Sequence, residues 1–417
     1  MKYIYSKVSL ENNFFGNSNP VFLAENFGTP LYVYNENILR ERCRELKKLI
    51  DYKHFVVNYS PKANSNVELI KIVREEGLRV DAMSPGEIFV NRLAGYKPKE
   101  ILYISNNVNE EEFRYAINEG VNISVDSVSQ LEMYGRLNPG GEITIRINPG
   151  VGAGHHQKVV TGGKKTKFGI EIHFLPEVRK ILKKYNLKLI GINQHIGSLF
   201  MDGEAYIKST ENILSVAREF DDLEFIDLGG GFGIPYQKQA EQARLSLEDL
   251  GSKLSETIHN WVREYGKEIE FKIEPGRYIV AECSILLGEV NVVKMNYDIK
   301  YVGTDLGFNV LIRPAMYDAH HDIEIYRKSE KPSTKDEVVR IVGNICETGD
   351  IIARDRKLPE IFEKDILGVL DAGAYGYTMS SNYNNRLRPA EVLIQANGEM
   401  RMIRRRDTLD DLVRNFV

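Results

Sequence analysis

Short apolar runs alternate with amphipathic stretches through most of the chain. Residues 35–50 (NENILRERCRELKKLI) space their apolar side chains by three and four, the period of a helix with one buried face. Eight strand-like runs follow, at 54–59, 78–82, 101–104, 121–125, 142–147, 187–194, 223–228 and 269–273. Helical patterns fill the spacers, at 65–76, 85–94, 110–119, 176–185, 204–220 and 246–265. Strands separated by helices imply a parallel sheet, because parallel neighbours need a long crossover. Eight such units within about 240 residues predict a (β/α)8 barrel rather than an open sheet.

Beyond residue 277 the pattern changes. Strand-like runs at 279–293, 301–305, 337–345, 366–370 and 391–404 succeed one another without helices between them. Asn397-Gly398 divides the last of these and signals a two-residue hairpin. The expected fold is therefore α/β: a barrel over 35–276, and an antiparallel β-domain built from 277–417 with 1–34. Pro30-Leu-Tyr-Val-Tyr34 is a candidate N-terminal strand of that β-domain.

Composition narrows the function classes. The 417 residues carry 55 Lys+Arg and 59 Asp+Glu, a net charge of −4, which argues against a nucleic-acid partner. The three cysteines (Cys43, Cys283, Cys346) form no CxxC, so neither a disulfide framework nor a cysteine zinc site is expected. Neither a signal core nor a membrane-length apolar run is evident, which makes the cytoplasm the default compartment. His155-His156 and His320-His321 are adjacent pairs without the i,i+4 spacing of helical metal ligands, and no metal is assigned.

Active sites of such barrels lie where the strands end. Here the strands run into Ser60-Pro-Lys62, Asp81-Ala-Met-Ser84, Asp126, Arg146-Ile-Asn148, His195-Ile-Gly-Ser198, Gly229-Gly-Gly231-Phe-Gly233 and Glu274-Pro-Gly276-Arg277. Taken singly, Lys62 reads more readily as a surface lysine, while His195 reads as well as a satisfied core histidine and the glycines as well as a tight turn. The run fails GxGxxG because position 234 is Ile, so a dinucleotide site is disfavoured. Glycines ahead of a helix do expose N–H groups that cradle phosphate. A lysine, a phosphate cradle including Gly230 and Gly231, and a carboxylate at one mouth fit pyridoxal phosphate: the lysine forms a Schiff base with the aldehyde, and the carboxylate keeps the pyridine nitrogen protonated.

The segments Tyr59-Ser-Pro-Lys-Ala-Asn-Ser-Asn66, His195-Ile-Gly-Ser198, Gly229-Gly-Gly-Phe-Gly233 and Glu274-Pro-Gly-Arg277 resemble those of the fold-type III, alanine-racemase-like pyridoxal phosphate decarboxylases. Arg313-Pro-Ala-Met-Tyr317, Cys346-Glu-Thr-Gly-Asp350, Gly373-Ala-Tyr375-Gly, Met379-Ser-Ser-Asn-Tyr-Asn384 and Arg388-Pro-Ala-Glu391 are similar to the diaminopimelate decarboxylase family, as are Phe27-Gly-Thr-Pro-Leu-Tyr-Val33 and Lys167-Phe-Gly-Ile170. The resemblance covers essentially the whole chain in the expected order.

That resemblance implies the roles. Lys62 anchors the cofactor, His195 stacks on its ring and Glu274 pairs with the pyridine nitrogen. Ser198, Gly231, the Gly276–Arg277 turn and Tyr375 bind phosphate. Arg277, Arg313 and Tyr317 clamp the distal carboxylate of the substrate, with Tyr375 beside them. Cys346 is the implied proton donor and Glu347 the partner of the distal ammonium, both supplied by the second chain of a homodimer with shared sites. Arginine suits a carboxylate because its planar fork binds it bidentately. The resemblance also leaves a sister decarboxylase acting on D-ornithine or D-lysine, and a pyridoxal phosphate carrier, as alternatives. Ser84-Pro85-Gly86-Glu87 departs from the family at Pro85, which is suited to begin the next helix. The glycine-rich basic loop at 152–167 reads as a lid or as an ordinary exposed loop. Arg404-Arg-Arg406 reads as a solvated strand end, and Trp261 as packing.

Overall fold

The computed structural model describes residues 7–148, 150, 153–154, 166–327 and 335–417. Most of the 152–167 loop, with His155-His156, lies outside the described residues. The chain divides into two compact units, one of Arg40–Ile234 with Arg244–Ile279, the other of Met1–Leu39, Pro235–Ala243 and Val280–Val417. The segment Pro235–Ala243 thus joins the β unit, although its sequence position lies inside the barrel span.

In the first unit eight parallel strands close into a barrel: Phe55–Tyr59, Arg79–Ala82, Ile101–Ile104, Asn122–Val125, Glu142–Arg146, Lys188–Asn193, Phe225–Asp227 and Glu270–Ile273. Closure comes where Phe271 lies opposite Phe55. Leu102, Ile104, Ile190 and Phe225 form a buried cluster against which Met83 packs. Local chemistry sets the helices. Ser84 Oγ caps Pro85–Leu93 by accepting the Glu87 N–H at 3.2 Å, and Pro85 opens that helix as expected. Asn109 and Glu112 form a reciprocal capping box at the start of Glu110–Glu119, which Gly120 ends at φ 70°. The helix Val128–Leu137 stands where the sequence pattern singled out none. Trp261 packs within Leu247–Tyr265, stacking on Tyr265 and donating its indole N–H to the Leu214 carbonyl.

The second unit holds a nine-stranded sheet among the described residues. Leu31–Asn35, fully buried, lies between Ser284–Asn296 and Ala390–Ile394. Most pairs are antiparallel, but Leu31–Asn35 runs parallel to Ala390–Ile394, and Ile299–Thr304 parallel to Asp336–Val342. The short helix Arg313–Tyr317 breaks the expected helix-free succession, and Ile323–Tyr326 and Ile351–Pro359 are strands beyond the runs singled out. The run expected from 279 begins instead with a helical turn, Arg277–Val280, before Ser284–Asn296.

Two details correct the sequence reading. The Asn397-Gly398 turn is longer than two residues: Gly398 donates to the Gln395 carbonyl and Gln395 to Glu399, with only Gly398 of these at positive φ, +87°. That is a turn followed by a left-handed bulge residue, so only one position needs glycine. Nor are Arg404 and Arg406 freely solvated: both are half-buried. Arg404 pairs with Asp407 at 2.5 Å and lies over the Tyr377 ring, while Arg406 donates to the Pro30 carbonyl at 2.7 Å. Of the described residues, no helix is long and apolar enough to cross a membrane.

Candidate active site

The loops after the first and eighth barrel strands are tied to each other and to the end of the second strand. Ser60 donates its N–H to the Pro275 carbonyl at 3.1 Å, and its hydroxyl hydrogen-bonds to the Asp81 carboxylate. Lys62 stands two residues on, with Nζ 3.9 Å from Asp81 Oδ2. Its side chain is 32 % exposed, so the amine remains reachable.

His195 and the glycine run meet across the sixth and seventh strand ends. Gly230 donates its N–H to His195 Nδ1 at 3.1 Å. Burial, reinforced by Lys62 and Arg146, drives the imidazole pKa well below its ordinary value, so the ring is neutral. The glycines are explained by close approach. A Cβ at Gly229 (φ +77°) would sit 2.3 Å from the Gln194 carbonyl oxygen, and one at Gly230 2.0 Å from that of Glu274. The run does not lead into a helix: the short 3-10 turn Lys238–Ala240 and then Leu247–Tyr265 come later in the chain. The N–H groups of this run are therefore loop donors rather than those of a helix terminus. Gly231 lies against Gly197, whose oxygen would be 2.6 Å from an added Cβ, and Arg277 Nη2 donates to Ser198 Oγ at 2.8 Å. Among the described residues, the N–H groups of Gly231 and of buried Gly276 donate to no acceptor.

Glu274 is buried with Oε1 lacking a hydrogen-bond partner among the described residues. Asp81 and Asp227 are fully buried near it. Burial raises the pKa of all three carboxyls; Asp227 and Asp81 push Glu274 further up, and Lys62 and Arg146 oppose this. Like charges this close hold a proton among them. Asp227 also accepts the Gly229 N–H at 2.9 Å, tying the acids to the glycine run. Asp81, Asp227 and Arg146 were not assigned roles from sequence. Asp81 and Arg146 stood among the strand-end residues and Asp227 inside a strand run, and barrel closure alone shows which of them meet.

The remaining predicted residues belong to the β unit. Arg313 is buried, with Nη1 2.6 Å from His321 Nε2 and its guanidinium 4.4 Å over the Tyr236 ring. Tyr317 ends the same short helix. Tyr375 adopts φ +56° in the loop after Ile366–Val369. Cys346 is exposed and donates its backbone N–H to the Asn384 side-chain oxygen at 2.9 Å, while the Tyr383 hydroxyl donates to Glu347.

Pyridoxal phosphate asks for an amine, a flat neutral contact for the ring, N–H donors for phosphate and a carboxyl for the pyridine nitrogen. The barrel loops supply all four, and the buried Glu274 oxygen without a partner is the sharpest match. Among the described residues no group of three or more His, Cys, Asp or Glu is arranged to hold a metal ion.

Comparison with known proteins agrees with this chemistry. The profile of the pyridoxal binding domain of pyridoxal-dependent decarboxylases matches residues 36–281. The chain is 43% identical to the diaminopimelate decarboxylase of Methanothermobacter thermautotrophicus, over 96% of this chain and 94% of that one. It is 35% identical to that of Escherichia coli, over 94% of each. The crystal structure of the Helicobacter pylori diaminopimelate decarboxylase complexed with L-lysine superposes with a TM-score of 0.87 at 30% identity, covering 95% of this chain and 98% of that one. The chain belongs to the diaminopimelate decarboxylase family of pyridoxal-dependent decarboxylases.

Proposed function

We propose that this chain decarboxylates meso-2,6-diaminopimelate at its D centre, releasing CO2 and L-lysine, as a cytoplasmic homodimer with shared active sites. The observation that carries the chemistry is Glu274, a buried carboxyl whose neighbours Asp227 and Asp81 favour its protonated form. Pyridoxal phosphate, when bound, accepts the electron pair left on carbon as CO2 departs, a task no amino-acid side chain performs.

The residues then divide the work. Lys62 holds the cofactor aldehyde, and His195 presents a neutral ring face. Glu274 keeps a proton at the pyridine nitrogen. Ser198, Gly230, Gly231, Gly276, Arg277 and Tyr375 bind the phosphate. Arg277, Arg313, Tyr317 and Tyr375 recognise the far-end carboxylate, and the partner copy supplies Glu347 for the distal ammonium and Cys346 as proton donor to carbon. A substrate lacking the far carboxylate leaves a buried arginine without its anion, which penalises ornithine and lysine.

The test is CO2 release by purified, cofactor-loaded protein from meso-diaminopimelate, D-ornithine and D-lysine. Turnover of the first alone supports the proposal; turnover of only the others, or of none, overturns it. Sharing of sites is tested by co-expressing Lys62→Ala and Cys346→Ala chains, which together recover activity that neither has alone.

A further inference from the structure

The histidine pair at 320–321 gains no metal role, yet His321 occupies a telling position. It is buried, with only 1% of its surface exposed. Its Nδ1 lies 2.7 Å from the Leu370 carbonyl oxygen and its Nε2 lies 2.6 Å from Arg313 Nη1. A carbonyl oxygen only accepts and a guanidinium only donates. The two contacts together therefore fix one arrangement: Nδ1 carries the proton, and Nε2 offers a lone pair to Arg313. Both hydrogen bonds are made by the neutral ring alone.

The surroundings hold this arrangement in place. Tyr236 lies under the Arg313 guanidinium at 4.4 Å and meets the His321 ring edge-on at 5.2 Å. Arg356 Nη2 donates to the His321 carbonyl at 3.2 Å. Leu370 in turn donates its N–H to the Asp322 carbonyl at 3.0 Å, so the acceptor of the imidazole is tethered to the residue that follows it. The imidazole contact orients the guanidinium without adding a negative charge to it, which preserves its pull on an anion. A carboxylate in the same place would satisfy the fork by charge as well as by hydrogen bonding.

The geometry points to His321 as the positioning residue for Arg313, fixing the fork that selects substrates bearing a carboxylate at the far end. This rests on the proposed reading of Arg313 as a carboxylate receptor.

Two substitutions separate orientation from simple packing. In His321→Asn the shorter amide reaches the place of Nδ1 and keeps the Leu370 bond but loses Arg313. In His321→Gln the longer amide brings an oxygen to the place of Nε2. On cofactor-loaded enzyme, His321→Asn should raise KM for meso-diaminopimelate about tenfold to a hundredfold with kcat within about threefold, and His321→Gln should return KM to within about threefold of the parent. An unchanged KM in His321→Asn, or a loss confined to kcat, overturns the inference. If His321→Asn does not fold, His321→Gln decides: a folded His321→Gln enzyme with KM raised tenfold overturns it, and a near-parental KM supports it. Arg313→Ala runs alongside. If it leaves KM unchanged, the receptor reading itself fails and takes this inference with it. If it raises KM while His321→Asn does not, only the role of His321 falls.

Discussion

Gly230 donates its backbone N–H to Nδ1 of His195. That nitrogen must therefore present a lone pair, which leaves the proton on Nε2 and the ring uncharged. The folded pKa of His195 lies below its unfolded value, so the unfolded chain binds the additional proton. The stability tied to this group is complete above about pH 6.5 and is lost as pH falls through the folded value. Thermal melts should accordingly show the parent losing more Tm between about pH 7.5 and pH 5 than His195→Phe does. Equal losses would sink the assignment.

Glu274→Gln separates activity from stability. The amide cannot supply the proton at the pyridine nitrogen, so kcat should fall by about a hundredfold or more. The same change removes one of three crowded carboxyls, so the melting temperature of the cofactor-free protein should hold or rise. A parallel drop in Tm would point to lost folding as the cause.

The cysteines should differ sharply in reactivity. Burial and Glu76 push the Cys43 thiol up to about 12, Cys283 is buried, and Cys346 is exposed. Iodoacetamide at about pH 8 should alkylate Cys346 alone in the native protein, with activity lost in step and L-lysine slowing both. Peptide mapping that finds Cys43 or Cys283 modified first would contradict this.

Arg406→Ala tests a purely structural arginine. Its Nη2 holds the Pro30 carbonyl and reaches that of Phe27 at 3.4 Å. Losing a charged donor to the backbone should cost about 1–3 kcal/mol in urea unfolding, with KM unaffected. No change in the midpoint would refute the role.

The barrel was legible because its signal is local: each strand is an apolar run, each crossover an amphipathic helix, and closure follows from repetition. The β unit was less so. Ile351–Pro359 carries Arg354, Asp355, Arg356 and Lys357 in mid-strand, and such polar stretches read as loop until a partner strand is known. The candidate site shows the same split. Lys62, His195 and Glu274 announce themselves at strand ends, whereas the company Glu274 keeps with Asp227 and Asp81 depends on which strands become neighbours around the barrel. The orientation of Arg313 by His321 depends on side-chain placement that spacing does not encode.

The placement of Leu31–Asn35 between Ser284–Asn296 and Ala390–Ile394 bears on how the protein is made. During synthesis this apolar segment emerges early, and its first partner follows some 250 residues later. Its second edge is covered only once residue 394 has left the ribosome. The barrel strands have all been translated by then, so the nascent chain carries an unpaired strand throughout their assembly. Until the β unit closes over it, that segment is therefore exposed to off-pathway strand pairing.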